Sequence, residues 1–203
     1  MRGRLFVISA PSGAGKTSLV KALLAIEPTL QLSVSFTTRP PRPGEVQGVD
    51  YHFVDLARFS ELQEAGAFLE CATVHSNHYA TSHRWLDEKL ASGCDVLLEI
   101  DWQGAAQVRR LLPEAITLFI LPPSLEALAQ RLHGRRQDTP EVIAQRLAAA
   151  RAEIAHYVEF DYVIINNDFQ TALEDLRAVM RASALTLERQ AARQAHLISN
   201  LLN

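Results

Sequence analysis

Between an apolar run, Leu5-Phe6-Val7-Ile8, and a helical pattern, Leu19, Val20, Leu23 and Leu24, the chain reads Ala10-Pro11-Ser12-Gly13-Ala14-Gly15-Lys16-Thr17. Glycines at this spacing let a tight loop turn its backbone N–H groups inward, where they cradle phosphate oxygens at the positive end of the next helix. Lys16 is placed to reach the β- and γ-phosphates of a nucleotide, and Thr17 to ligate Mg2+. The usual pattern opens on glycine. Ala10 stands there instead, so the backbone at that corner must keep φ negative. A buried strand before the loop and an amphipathic helix after it distinguish a phosphate-binding loop from a glycine-rich turn, and both are written here. Lysine is otherwise confined to Lys21 and Lys89, so Lys16 stands out.

A second constellation reads Ser33-Val34-Ser35-Phe36-Thr37-Thr38-Arg39-Pro40-Pro41-Arg42-Pro43-Gly44-Glu45, followed by Gly48-Val49-Asp50-Tyr51-His52-Phe53. Arg39 and Arg42 sit on a segment stiffened by prolines, and two planar guanidiniums held that way, with Tyr51 nearby, suit an anionic phosphate. Asp101 closes the apolar run Val96–Ile100, where a carboxylate can orient Mg2+ through a bound water. With Trp102, Gln103 and Gly104 it also spells the DxxG pattern of GTPases. That rival lacks a guanine-reading NKxD, for which Asn166-Asn167-Asp168 is the nearest text, and gives the Arg39/Arg42 segment no role. His75 and His78 have near-ligand spacing, but no cysteine or acidic partner completes a zinc set.

These residues need elements to hold them. Strand candidates fall at Leu5–Ile8, Val96–Ile100, Ile116–Leu121 and Tyr162–Ile165, separated by helical periodicity such as Leu125–Leu132 and Val142–Ile154. Short, wholly apolar strands alternating with helices predict an α/β fold, a parallel sheet with helices on both faces. Residues 34–81 break that rhythm with Ser, Thr, Tyr, His and Phe and with turn signals at Pro40-Pro41, Pro43-Gly44 and Gly48, which predict a small inserted mixed-β lobe. Arg131–Arg146, polar and basic around Gly134, reads as a helical lid. The tail from Ala172 to Leu202 carries Leu173, Leu176, Val179, Met180 and Leu185 at helical spacing, then Leu197, Ile198, Leu201 and Leu202. It predicts a packed helix, with an oligomer contact as a second use.

With 203 residues and 48% hydrophobic content the chain suits one α/β domain with small inserted lobes. A net charge of −3 argues against a general nucleic-acid-binding surface. Cys71 and Cys94 form no disulfide framework or metal spacing, no stretch reaches membrane-span length, and Leu5–Ile8 is too short for a signal peptide. A cytoplasmic protein is expected.

The blocks Ala10–Thr17, Ser33–Glu45, Asp50–Phe53, Phe68-Leu69-Glu70, Asn77-His78-Tyr79, Leu98–Gly104 and Arg131–Arg146 resemble, in order and over essentially the whole chain, the guanylate kinase family. The resemblance implies direct in-line transfer of the ATP γ-phosphoryl to GMP, and to dGMP, with Mg2+, in purine nucleotide metabolism. It implies three parts of one domain: a P-loop core (1–33, 82–124 and 150–203), a GMP-binding lobe (34–81) and a lid (125–149). By position it assigns ATP to Ala10, Pro11, Ser12, Gly13, Ala14, Gly15, Lys16 and Thr17 with Arg131 and Arg135, and catalytic roles to Lys16, Arg39, Arg135 and Arg146. It assigns the GMP phosphate to Ser35, Arg39, Arg42, Tyr51 and Tyr79, and guanine to Glu70 with Thr81 close by. Glu99 faces the GMP site, and Thr17 and Asp101 hold Mg2+. Thr81 stands where the family carries Ser but keeps the hydroxyl, and Arg135-Arg136 replaces an expected Arg-Gly in the lid.

Chemistry supports the Glu70 assignment. Guanine offers N1–H and N2–H donors that a carboxylate accepts together, whereas adenine lacks the pair and would leave a buried charge unpaired. No general base is required for an acceptor that is already an ionised phosphate. Two further readings remain: a non-catalytic interaction module of similar build, whose mark would be a damaged P-loop, and a related kinase acting on another phosphorylated acceptor.

Overall fold

All five residues of β1 (Leu5–Ser9) are buried, because the strand runs through the centre of a sheet covered on both faces. Phe6 and Ile8 enter one apolar cluster and Leu5 and Val7 another, so strand alternation distributes one apolar run over two cores. The computed structural model describes residues 1–74, 76–133 and 140–203, with side chains for all of these except 133 and 140–146. The chain continues through α1 (Lys16–Ile26), β2 (Leu30–Leu32), β3 (Phe36–Thr37), β4 (His52–Phe53), α2 (Leu56–Glu64), β5 (Phe68–Val74), β6 (Asn77–Ser82) and α3 (His83–Ala91). It then forms β7 (Asp95–Glu99), α4 (Trp102–Leu111), β8 (Ile116–Leu121), α5 (Leu125–His133) and α6 (Pro140–Ile154). A 3-10 turn at Ala155–Glu159 leads to β9 (Tyr162–Ile165), α7 (Phe169–Ala184), α8 (Leu187–Arg193) and α9 (Ala195–Leu202).

The larger sheet is parallel throughout, in the order β2-β7-β1-β8-β9. Leu19 and Leu23 of α1 and Leu176 of α7 cover one face, and Leu86 and Leu90 of α3 with Ala105 and Val108 of α4 cover the other. The expected α/β architecture is therefore present. The chain leaves β1 toward one face and the neighbouring β7 toward the other, so the two following loops diverge above the carboxyl ends of adjacent strands. A crevice opens where such loops part, and it is there that open α/β sheets bind ligands.

The smaller sheet has the order β4-β3-β6-β5, with β3 and β4 parallel and the other pairs antiparallel, which is the mixed-β character expected within 34–81. The helix α2 inside this segment is an addition to that expectation. Asp55 starts it by accepting the Arg58 N–H at 2.7 Å, and its buried Phe59 packs at a tilt against Phe68, 4.9 Å between ring centres. The two sheets are tied through α4: Gln107 accepts the Cys71 N–H at 3.2 Å and donates to the Cys71 carbonyl at 2.7 Å.

Two expectations need correction. Val163 and Ile165 of β9, predicted as fully apolar and buried, are exposed along with Tyr162, because β9 is the edge strand and only Ile164 reaches the core. The tail breaks into three helices, of which α7 buries Leu173, Leu176, Val179 and Met180 while Leu197, Ile198, Leu201 and Leu202 of α9 stay exposed. Among the described residues no helix is long and apolar enough to cross a membrane.

Arg4 closes the amino end of the sheet. Its guanidinium pairs with Asp95 at the start of β7 and donates to the Met180 carbonyl at 2.6 Å and to Ser183 Oγ at 2.7 Å, while its N–H donates to Asp95 at 2.7 Å. Replacing Arg4 with Ala leaves a half-buried carboxylate and a carbonyl without this partner. We expect a loss of about 2 kcal/mol, seen as a lower urea midpoint at unchanged slope.

Candidate functional site

Gly13 and Gly15 of the loop after β1 have φ of 90° and 96°, in the left-handed region that glycine alone enters without strain. Ala10 needs no such conformation: the one described non-glycine residue with positive φ is Ser76, far from this loop in the chain. The loop is held from behind. Asn166 Nδ2 donates to the Ala14 carbonyl at 2.7 Å, and Arg131 donates to the same carbonyl at 3.3 Å and to the Asn166 carbonyl at 2.9 Å. A Cβ on Gly15 would lie 2.4 Å from Asn166 Nδ2, so this second glycine serves close approach as well as conformation. With its carbonyl side engaged, the loop turns N–H groups toward the cleft.

The loop's polar groups meet partners from distant elements. The Ser12 N–H donates to Glu153 Oε2 at 3.1 Å, Lys16 Nζ donates to the Ile100 carbonyl at 2.9 Å, and Thr17 Oγ1 donates to Glu99 Oε1 at 2.5 Å. Asp101 is the N-cap of α4, accepting the Gly104 N–H at 2.9 Å, and so fixes its carboxylate beside Lys16 and Thr17 in the cleft wall.

On the opposite wall, Arg39 Nη2 lies 2.8 and 2.9 Å from the two carboxylate oxygens of Glu45, and Nη1 donates to the Pro40 carbonyl at 2.7 Å. Its guanidinium sits over the rings of Tyr51 at 5.4 Å and Phe53 at 5.8 Å, which limits its swing. Glu45 also accepts the Arg42 N–H at 2.7 Å. Burial works against the Glu45 charge, but Arg39 and the Arg42 N–H outweigh it, and the carboxyl titrates below its ordinary range. Tyr51 is shifted the other way, to about 12, by burial and then by the nearby Glu99 carboxylate, so its phenol stays a donor at every physiological pH.

Glu70 lies at the base of the cleft. A bulge in β5 between Phe68 and Glu70 re-aims the strand, and the side chain, only 3% exposed, points under α4. Thr81 Oγ1 donates to Glu70 Oε1 at 2.8 Å. Burial, with the Asp101 charge adding to it and the Thr81 bond opposing, raises the carboxyl to about 7.

All the described candidates except Ala14, Thr81 and Arg131 line a single cleft. Ala14 is fully buried in the loop, Thr81 lies behind Glu70, and Arg131 buttresses the loop. Arg135 lies outside the described residues, as does the side chain of Arg146. Sequence reasoning misses Glu45 and Glu153 as partners of the site, Asn166 as the brace of the loop, and Trp102, which lines the cleft and stacks on His156 at 3.5 Å between ring centres. Only Glu45, inside the arginine segment, carries a local signal. The others act across long sequence separations.

A profile of the guanylate kinase family matches residues 2–183. The chain is 59% identical to the guanylate kinase of Methylobacillus flagellatus and 57% identical to that of Dechloromonas aromatica, with all of both chains covered in each case. Its fold is similar to the crystal structure of guanylate kinase from Anaplasma phagocytophilum, with a TM-score of 0.77 and 32% identity over 95% of each chain.

The buried Glu70 has a consequence for stability. Its carboxyl titrates near 7 in the folded protein against 4.5 for the free group, so between those values the folded state keeps a proton that the unfolded chain has released. Stability therefore falls as pH rises through that window, by on the order of 3 kcal/mol in all. Glu70→Gln keeps an acceptor for Thr81 without the charge. We expect its urea midpoint to match the parent's at pH 5 and to exceed it at pH 8.

Proposed function

The chain belongs to the guanylate kinase family and transfers a phosphoryl group from ATP to GMP, giving ADP and GDP; we propose how its residues divide that work. One observation carries the reading: the glycine-rich loop after β1 and an arginine pair in the loop between β3 and β4 of the separate sheet line the same cleft, with a buried carboxylate in its wall.

On the donor side, backbone N–H groups of the Ala10–Thr17 loop, in which Pro11 has none and Ala14 donates to the Pro11 carbonyl, cradle the ATP phosphates, and Lys16 turns from the Ile100 carbonyl to the transferring phosphoryl group. On the acceptor side, Ser35, Arg39, Arg42, Tyr51 and Tyr79 hold the GMP phosphate, with Arg39 exchanging a carboxylate of the protein for a phosphate of similar charge. Glu70, oriented by Thr81, accepts the N1–H and N2–H of guanine, and adenine offers it nothing to accept. The same contacts are available to dGMP, which is proposed as a second acceptor.

The oxygen donors Thr17 Oγ1, Glu99 and Asp101 gather where the phosphate chain would lie, a set that fits a hard divalent cation. Thr17 and Asp101 would hold Mg2+, Asp101 through a bound water, and the ion would supply charge neutralisation on the phosphate chain. No residue is needed as a general base, since the GMP phosphate is ionised near neutral pH. The difficulty is bringing two polyanions together, and cationic groups from two sides of the cleft address it. Residues 34–81 act as the acceptor lobe and 125–149 as a lid, from which Arg135 and Arg146 serve the ATP phosphates and the transferred group and exclude water, while Arg131 serves ATP indirectly by bracing the phosphate loop. The setting we infer is purine nucleotide recycling in the cytoplasm.

In a coupled ADP-release assay with Mg2+ and ATP, we expect release with GMP and dGMP and none with AMP, CMP, UMP or without acceptor. Release without acceptor would favour the GTPase-like reading, and none at all the interaction module. Lys16→Met and Arg39→Ala should each lower kcat/KM at least tenfold, the Arg39 change appearing mainly in KM for GMP. Because guanine requires ionised Glu70, kcat/KM for GMP should fall as pH drops below about 7, the value near which that carboxyl protonates.

A further inference from the structure

Glycine in the first turn of a helix forfeits helix propensity, so Gly104, third residue of α4, calls for a compensating reason. Its backbone is helical, so no positive φ accounts for it. What surrounds its missing side chain does. A Cβ at 104 would lie 2.5 Å from Glu70 Oε2, 3.1 Å from Glu70 Cδ and 3.3 Å from Ile100 Cδ1. The first of these is closer than any real side-chain carbon approaches a carboxylate oxygen, so Glu70 and any residue other than glycine compete for one volume.

Both partners are tethered. Glu70 Oε1 is tied to Thr81, and the next residue along β5, Cys71, has both its N–H and its carbonyl held by Gln107, one turn further along the same helix. The distance between β5 and α4 is thereby set at the level of Gly104. The Gly104 N–H in turn donates to Asp101 at 2.9 Å. One residue thus anchors the Mg2+-side carboxylate through its N–H and admits the guanine-side carboxylate through its absent Cβ.

We propose that Gly104 is the positioning residue of the guanine reader and so a determinant of base selectivity. It touches neither nucleotide. It acts by leaving open the volume that the Glu70 carboxylate occupies beside α4. The proposal rests on the reading of Glu70 given above. A methyl group at 104 displaces the carboxylate and damages recognition of GMP, while ATP, bound on the other side of the cleft, is unaffected.

The test is a kinetic comparison of Gly104→Ala, Glu70→Gln, Glu70→Asp and the pair Gly104→Ala with Glu70→Asp. We expect Gly104→Ala to raise KM for GMP at least tenfold, to leave KM for ATP within twofold, and to narrow the preference for GMP over AMP. Shortening the carboxylate by one methylene should withdraw it from the added methyl, so the pair should recover part of the GMP kcat/KM lost in Gly104→Ala. Unchanged GMP kinetics in Gly104→Ala, equal losses for both nucleotides, or strict additivity in the pair would overturn the proposal. Normal GMP kinetics in Glu70→Gln would instead remove the guanine-reading role itself, and the proposal with it. If Gly104→Ala does not fold, the pair with Glu70→Ala decides: restored folding places the clash at Glu70, and continued unfolding overturns it.

Discussion

Groups that can hold two clustered sets of phosphates must exist before either nucleotide arrives, and like-charged or unpaired donors in a cleft are costly to leave alone. Here the protein's own carboxylates meet them. Glu45 covers Arg39, Glu99 accepts from Thr17, and Glu153 accepts from the Ser12 N–H. Each contact keeps a donor aimed into the cleft by giving it a partner of the same chemical kind as a phosphate oxygen. The end of β7 brings Glu99, α6 brings Glu153 and the turn after Arg42 brings Glu45, from separate parts of the chain, to the groups they neutralise.

The second constraint is mechanical. The cleft is lined from both sheets and the loops that leave them, and a pair of hydrogen bonds that ties the sheets together runs through α4. Asp101 starts that helix, Gly104 opens a space in it, and Gln107 fastens it to β5. Three residues at helical spacing therefore set the position of one catalytic-side carboxylate, one recognition-side carboxylate and the strand that carries the latter.

Much of this is legible in the amino-acid sequence because the chemistry is local. The strands β1, β7, β8 and β9 are readable because short apolar runs between helical patterns admit few other folds, and the phosphate loop because its glycines have local conformational work to do. The short strand β2 escapes notice because three residues with Gln31 in the middle leave no pattern to detect. Glu153 and Asn166 are invisible for a different cause: each meets the loop from a point far along the chain, and nothing local to a glutamate or an asparagine announces such a partner. The tail shows the converse. Its apolar spacing is helical, as expected, but periodicity says only that a face exists, not that something covers it, and α9 leaves that face open.

The brace behind the phosphate loop bears on how portable such a motif is. The letters from Ala10 to Thr17 are contiguous, yet the direction in which their peptide groups point is set by the amide of Asn166 and the guanidinium of Arg131, both engaging one carbonyl at Ala14. Transplanting the eight letters into another strand–helix junction would carry over the turn but not its orientation. The unit that could be moved intact is the loop together with the ends of β9 and α5, a module defined in space rather than along the chain.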